Sequence, residues 1–413
     1  MRILVWHGYL LSGTGSNIYT QALVHEWASA GHDVTVFSQE PHPERFDLGG
    51  ATAVKPYVGR LLPVFVLDRY EGLEARLLQD FTLAEREAYV EANAAVLREH
   101  LPADLVFANH VLLGGPVGAA TGARYAVKAH GSELEYSMRG NAELSAWGKE
   151  GLERAGAVFV GSGHIRQVLD DVVGHVENVY EVPPGVDVDE FRPEARDVAL
   201  AALLEEARHD APNAGNANER LPDAGNTERF AHWFESDEPT VLYFGKLLYN
   251  KGVHVLFDAL RKTGARAIVV GFGDYREELE WNAPPRALFT GALDHRHLRH
   301  LVPLCDVTVV PSVFPEAFGM VAAESAAAGT PPLVARHSGL EEIAEGLEAE
   351  YPPEHRSLTS FATGDADDLA EKLVALLALP PDERRGIAEA GRRAVERNWS
   401  WARVAERLLD PFS

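Results

Sequence analysis

The stretch Phe314-Pro315-Glu316-Ala317-Phe318-Gly319-Met320-Val321-Ala322-Ala323-Glu324, closed by Gly329-Thr330-Pro331-Pro332, concentrates residues that could do chemistry. Pro315 and Gly319 shape a tight loop after an apolar strand ending near Val310. A helix then follows over about residues 319–328, stopped by Gly329 and the prolines. Its first N–H groups, at Gly319, Met320 and Val321, have no partner inside the helix and suit a phosphate. Glu316 precedes the helix and Glu324 lies within it, so at about 1.5 Å of rise per residue the two carboxylates stand roughly 10 Å apart. That is too far to act on one atom, and it fits a grip on two ends of a long ligand. A second pointed loop, Gly245-Lys246-Leu247-Leu248-Tyr249-Asn250-Lys251-Gly252, carries two of the chain's seven lysines. Near the amino terminus, Gly13-Thr14-Gly15-Ser16-Asn17 forms a turn in which Gly15 would let the backbone approach a ligand. His130 ends a strand ahead of Gly131-Ser132-Glu133, a helix-opening turn.

Apolar strands must position these loops. Residues 3–6 and 33–37 read as strands around a helix through Tyr19, Leu23, Val24 and Trp27, with Gly31 at its end. This βαβ opening implies a parallel sheet covered by helices. Further strands are expected at 104–108, 125–129, 157–160 and 179–182, and a helix over about 68–100. Pro183-Pro184-Gly185 then breaks the chain, and strands restart at 240–245, 267–271, 307–310 and 333–335. The reading is an α/β chain of two Rossmann-like β/α/β domains, 1–185 and 186–385. They are expected to face a deep inter-domain cleft, with a ligand across the carboxyl ends of the strands. A terminal helical segment, 386–413, carries Trp399 and Trp401 and is expected to pack back on the first domain. Residues 194–238, with their polar runs around Asn213 and Asn226, are expected to form a mobile insertion, because small polar residues cannot pack a core.

Composition narrows the function classes. At 413 residues and 46% hydrophobic, the chain has material for two cores. A formal net charge of −24 opposes nucleic acid or anionic lipid as the main partner, since either repels such a surface at long range. Arg384, Arg385, Arg392 and Arg393 are the densest basic exception. Cys305, the single cysteine, excludes an internal disulfide and reads as a core residue. The amino terminus opens as a buried strand without signal-peptide features, and no run approaches the roughly 20 apolar residues of a spanning helix. The expectation is a cytoplasmic protein with no integral membrane segment and an open oligomeric state. His295-Arg296-His297 with His300 lacks carboxylate-backed metal spacing; it reads as a solvated helix face, and no metal site is expected.

Taken in order, the Gly15 loop, His130-Gly131-Ser132, Pro184-Gly185-Val186-Asp187 with Phe191, Gly245-Lys246…Lys251-Gly252, Gly271-Phe272-Gly273, Pro311-Ser312 and Glu316…Glu324 carry a resemblance over nearly the whole chain. The set resembles the retaining family-4 glycosyltransferases of GT-B fold (glycosyl transferases group 1), whose E-x7-E motif is similar to the 316–324 stretch. The resemblance implies a hexosyltransferase that moves a sugar from a nucleotide-sugar donor to an acceptor hydroxyl with retention of anomeric configuration. By family frequency the donor is a UDP-sugar, which is a substrate, and no metal or other cofactor is implied.

The same resemblance assigns residues. Glu324 would bind the ribose hydroxyls, since a carboxylate can accept from two neighbouring hydroxyls at once. Glu316 would sit beside the donor sugar, with the backbone of Phe318 and Gly319 and the helix start at Met320 and Val321 completing the donor contacts. Lys246 and Lys251 would offset charge on the departing nucleoside diphosphate, in place of a metal. The family usually has arginine where Lys246 stands, and lysine keeps the charge but loses the bidentate fork. Gly15 would approach the β-phosphate or reacting centre, with Thr14 where a second glycine is common. His130 would contact the donor sugar, and Asn17 and Tyr19 the acceptor, a small-molecule or lipid-linked hydroxyl. A glycoside phosphorylase, a nucleotide-sugar epimerase and a non-catalytic sugar-binding module are the alternatives on the same fold; the E-x7-E motif speaks against the epimerase.

Overall fold

Runs of apolar, largely β-branched residues form the central strands, because a strand covered on both faces must be apolar throughout. The computed structural model describes residues 1–11, 13, 15–65, 70, 72–211, 213 and 218–413. The chain divides into two compact units, Met1–Gly185 with Trp401–Ser413, and Val186–Ser400. In the first unit the strands are β1 (Arg2–Trp6), β2 (Asp33–Phe37), β3 (Thr52–Val54), β4 (Leu61–Val64), β5 (Glu74–Leu77), β6 (Leu105–Asn109), β7 (Tyr125–Lys128), β8 (Ala157–Val160) and β9 (Val179–Glu181). Seven of them pair in the order β3-β2-β1-β6-β7-β8-β9, while β4 and β5 make a separate parallel ribbon. The second unit holds β10 (Thr240–Phe244), β11 (Arg266–Val270), β12 (Ala287–Phe289), β13 (Val307–Val310), β14 (Pro332–Ala335) and β15 (Ser360–Phe361), in the order β12-β11-β10-β13-β14-β15.

All ladders in both main sheets are parallel. The strand order reverses between β1 and β6 in one sheet and between β10 and β13 in the other. Loops leaving the carboxyl ends of such strands are where open α/β sheets hold ligands. Period-two alternation divides the first core: Ile3 and Val5 pack with Leu23, Trp27 and Trp401, while Leu4 and Trp6 face Leu112 and Val158 on the other side.

Three expectations require correction. Within the expected 68–100 helix, residues 72–82 are not α-helical: Leu78–Asp80 makes a single 3-10 turn, and the α-helix spans Leu83–Glu99. Thr82 starts it with a reciprocal capping box, its side chain accepting from the Glu85 N–H and its own N–H donating to the Glu85 carboxylate at 2.8 Å. Upstream, Glu74–Leu77 pairs with Leu61–Val64 instead; residues 68, 69 and 71 lie outside the described residues.

The 194–238 segment is largely built structure rather than a mobile insertion. Ala199, Leu203 and Ala207 recur every four residues and bury one face of the Arg196–Arg208 helix, and Phe230 anchors the Asn226–Trp233 helix. Its polar residues are tied down as well. Asp223 holds Arg276 at 2.7 Å, and Asn218 exchanges two hydrogen bonds with the backbone of Gly273. Within it, Pro212 and residues 214–217 lie outside the described residues.

The 386–413 segment does not act as one helix packed on the first domain. Most of the Pro381–Asn398 helix buries Ile387, Ala390, Ala394 and Val395 in the second unit, and only Trp401–Ser413 joins the first. The basic cluster on that helix is charge-paired: Arg384 meets Asp306, Arg385 meets Asp382, Arg392 meets Glu396 and Arg393 meets Glu350. Cys305 is buried, and burial pushes its thiol up. No described helix is long and apolar enough to cross a membrane.

Candidate active site

In the second unit the loops after β10 and β13 are joined by backbone. Val313 N–H donates to Asn250 O at 2.9 Å, and the Ser312 hydroxyl reaches the same carbonyl. Gly252 makes this approach possible: its φ is +70°, and a Cβ there would stand 1.8 Å from the Pro311 carbonyl oxygen. The lysine loop is thereby held against residues 311–316, and Lys251 Nζ lies 2.5 Å from Glu316 Oε1. Lys246 is exposed on the same carboxyl edge, its carbonyl accepting from the Tyr243 hydroxyl at 2.7 Å.

A second relay fixes Glu316. Its N–H donates to Ser338 Oγ at 2.9 Å, that hydroxyl pairs with His337 Nδ1, and His337 Nε2 reaches the Ser312 carbonyl at 2.8 Å. The pattern assigns the proton to Nε2 and an acceptor role to Nδ1. Gly319 caps the following helix with φ at +111°, and the helix itself spans Met320–Ala327. Phe318 is buried and T-stacked on Trp399, so it anchors the loop through its ring. Lys251, Glu316 and the start of the Met320–Ala327 helix therefore lie together on the loops at the strand-order switch of one sheet, an arrangement suited to an anionic ligand.

Glu324 lies inside that helix, 7% exposed, and burial raises its carboxyl above the ordinary range. The expectation of a solvated face at His295–His300 is overturned here. His295 Nε2 stands 3.7 Å from Glu324 and its Nδ1 3.4 Å from Glu190. His297 is fully buried against Asp210 at 2.8 Å, and His300 pairs with Glu194. These histidines are consumed by tertiary carboxylates rather than water. Among the described residues no group of three or more His, Cys, Asp or Glu side chains is arranged to hold a metal.

In the first unit Gly15 opens the Gly15–Ser29 helix, and a Cβ added there would meet nothing within 4 Å among the described residues. Ser12 and Thr14 lie outside the described residues. His130 Nε2 pairs with Asn109 Oδ1 at 2.7 Å, and its backbone N–H donates to Glu133 Oε1 at 3.0 Å. Burial, and then the neighbouring His110, push the His130 imidazole well below its ordinary value, so it is neutral near pH 7. Burial works against the Glu133 carboxylate, but His110 and the His130 N–H outweigh it and hold that group below its usual range. Asn17 and Tyr19, the expected acceptor contacts, are both buried. Asn17 is buried on His7 at 2.8 Å, and the Tyr19 ring is packed edge-on against both His130 and Trp401. Sequence reading missed Asn109, Glu133, Glu190, His337 and Ser338. The positive φ of Ser338 and of His110, +46° and +69°, is visible only in the fold.

Two family models match the chain: Glycosyltransferase Family 4 over residues 13–190 and Glycosyl transferases group 1 over residues 225–394. The chain belongs to the family-4 glycosyltransferases. An uncharacterized glycosyltransferase of Methanocaldococcus jannaschii is 37% identical over 118 residues, covering 26% of this chain and 30% of that relative. A GDP-mannose-dependent alpha-(1-6)-phosphatidylinositol monomannoside mannosyltransferase of Mycobacterium tuberculosis is 25% identical over 72% of each chain. The HepE protein of Anabaena, solved in complex with UDP, superposes with a TM-score of 0.69 at 16% identity over 99% of each chain. That likeness shows the fold. The two parallel, Rossmann-like units are those of a GT-B glycosyltransferase.

Proposed function

We propose that this family-4 glycosyltransferase moves a sugar from a nucleotide-sugar donor to an acceptor hydroxyl, with retention and without a metal. The observation that carries the reading is the stitched pair of loops at the β10/β13 switch, where Lys251 and Glu316 meet beside the Gly319 helix start. In this reading Lys246, Lys251 and the N–H groups of Gly319, Met320 and Val321 receive the diphosphate. Glu324 takes the ribose hydroxyls. Glu316 and the backbone of Phe318 and Gly319 hold the sugar, with His130 and Gly15 of the first unit assigned to the transferred sugar and its reacting centre.

The chemistry follows from charge. The bond from the anomeric carbon to the phosphate oxygen breaks, and the two lysines stabilise the leaving diphosphate, the part a metal often plays. No side chain among those assigned is a nucleophile in this reading. The acceptor oxygen attacks from the face the phosphate leaves, and the departing phosphate oxygen takes the hydroxyl proton. Neutral His130 contributes hydrogen bonding and position rather than charge.

The donor is proposed as a UDP-sugar. The name of the Mycobacterium tuberculosis relative favours a second reading, GDP-mannose, with a lipid-linked acceptor. Thermal-shift and turnover measurements across UDP- and GDP-sugars, without added metal, decide between them. Anomeric NMR of the product tests the stereochemistry, and an inverted product removes the retaining mechanism. Release of sugar phosphate on incubation with inorganic phosphate and a disaccharide would mark a phosphorylase instead.

A further inference from the structure

Three elements of the second unit converge on the buried Glu324. The first is the turn over residues 187–191. Asp187 Oδ1 accepts from the N–H groups of Asp189 at 2.9 Å and Glu190 at 2.8 Å, which aims the Glu190 side chain. The second is the start of the His295–Leu301 helix, where His295 bridges Glu190 and Glu324 and stacks edge-on against Phe191 at 5.2 Å. The third is the Met320–Ala327 helix itself. Arg392 clamps the first and third together, donating to the carbonyls of Val188, Phe191 and Ala327.

Among the described residues the Glu324 carboxylate accepts no side-chain or backbone hydrogen bond, and His295 stands at ion-pair rather than hydrogen-bond distance. A buried carboxylate with free lone pairs and a cation behind it is built to accept from a ligand. We propose that His295, held by Glu190, is a positioning residue for the donor: as an imidazolium it keeps Glu324 charged and turned to accept the ribose hydroxyls of a nucleoside diphosphate. The inference rests on the reading of Glu324 as the ribose-binding carboxylate.

The charges facing the pair are few. Glu190, Glu324 and Asp294 surround His295, Arg299 lies near Glu190, and Arg392 is engaged with carbonyls and Glu396. The hydrogen bond to Glu190 outweighs burial and lifts His295 to about 9, so it is charged through the neutral range. For Glu324, burial raises the carboxyl, His295 opposes that, and Glu190 adds to it. Removing the cation raises Glu324 further. The carboxylate is then lost at lower pH and regained as the pH climbs.

The test is titration of the full chain with UDP and with GDP from pH 6 to 9, comparing wild type with His295→Gln, His295→Lys and Glu190→Gln. His295→Gln is expected to weaken binding about tenfold at pH 6.5, by an amount that shrinks steadily and is nearly gone at pH 9. His295→Lys, which keeps the charge, is expected to stay within about threefold of wild type, and Glu190→Gln to show a smaller loss of the same pH shape. Unchanged binding by His295→Gln, or an equal loss at every pH, overturns the inference; if that variant does not fold, the pH shape for Glu190→Gln decides in the same way. Glu324→Gln separates the two ideas. If it binds both nucleotides as wild type does, the ribose reading itself fails and the inference with it. If it binds weakly beside a normal His295→Gln, the inference alone falls.

Discussion

Lys251 and Glu316 neutralise each other across two loops, and a donor would have to share or break that pair. Glu316→Gln is therefore expected to lower turnover by about a hundredfold or more, the scale of losing one transition-state contact. Its effect on stability should stay within about 1 kcal/mol, because both partners are partly exposed. Initial rates alongside a melting curve check both halves, and wild-type turnover would remove Glu316 from the site. At Lys246, which is exposed, arginine restores the planar fork suited to a diphosphate. Lys246→Arg should tighten nucleotide binding by a few fold in a calorimetric titration; weaker binding would mean the lysine contact is specific to this chain. Both loops could be picked out from residue type and spacing alone. The pairing of Lys251 with Glu316 could not, since 65 residues separate them.

At the scale of elements, two glycines make opposite predictions. Gly252 is locked by its positive φ and by the Pro311 carbonyl 1.8 Å from where a Cβ would stand. Gly252→Ala should cost about 1–3 kcal/mol of stability and pull Lys251 away from Glu316, lowering the melting temperature and the nucleotide affinity together. Gly15 has open space where its Cβ would be. Gly15→Ala should leave the melting temperature within a degree or two, because a helix start accepts alanine readily, and should lower donor turnover. A large loss of stability there would show that the space is occupied by structure rather than kept for a ligand. The helical tendency of Leu83–Glu99 was legible, whereas its start was set by the Thr82 box. Likewise the four-residue apolar repeat of Arg196–Arg208 was present in a segment whose polar tracts read as loop.

For the whole molecule, the first unit carries a built-in acid sensitivity. His7 is driven down to about 3, by burial first and then by His110, from an ordinary value of 6.5. A histidine depressed in the fold stays neutral there while the unfolded chain takes up a proton. Stability is thus intact above about 6.5 and lost as pH falls toward 3, at about 1.4 kcal/mol per pH unit. Burial and His110 depress His130 as well, in the same direction. Urea midpoints at pH 7.5, 6 and 5 should fall progressively, and His7→Gln, whose amide can still meet Asn17, should flatten the slope. A midpoint independent of pH would show that the unit admits the proton. Ending the chain at Ser400 removes Trp401, Val404 and Leu408 from the face made by Tyr19, Trp27 and Phe159. The first unit should lose several kcal/mol, as large buried side chains do on removal, and melt well below the second; coincident unfolding with the full chain would deny this terminal helix its part in that core.

By itself the sequence determined most strands of the two main sheets, though not Thr52–Val54, Ala287–Phe289, Ser360–Phe361 or the Leu61–Val64 and Glu74–Leu77 ribbon, together with where the glycine, lysine and glutamate loops fall and their order along two successive α/β units. Those features rest on composition and periodicity over a few residues. Only the tertiary structure decided which loops touch. Strand order brings β10 beside β13 and so Lys251 onto Glu316; the start of the His295–Leu301 helix brings His295 to Glu324, and the turn at 187–191 brings Glu190 to His295; Asn17 and Tyr19 are buried; and residues 381–400 settle on the second unit. Each of these depends on register and packing between segments far apart in the chain, which local pattern does not record.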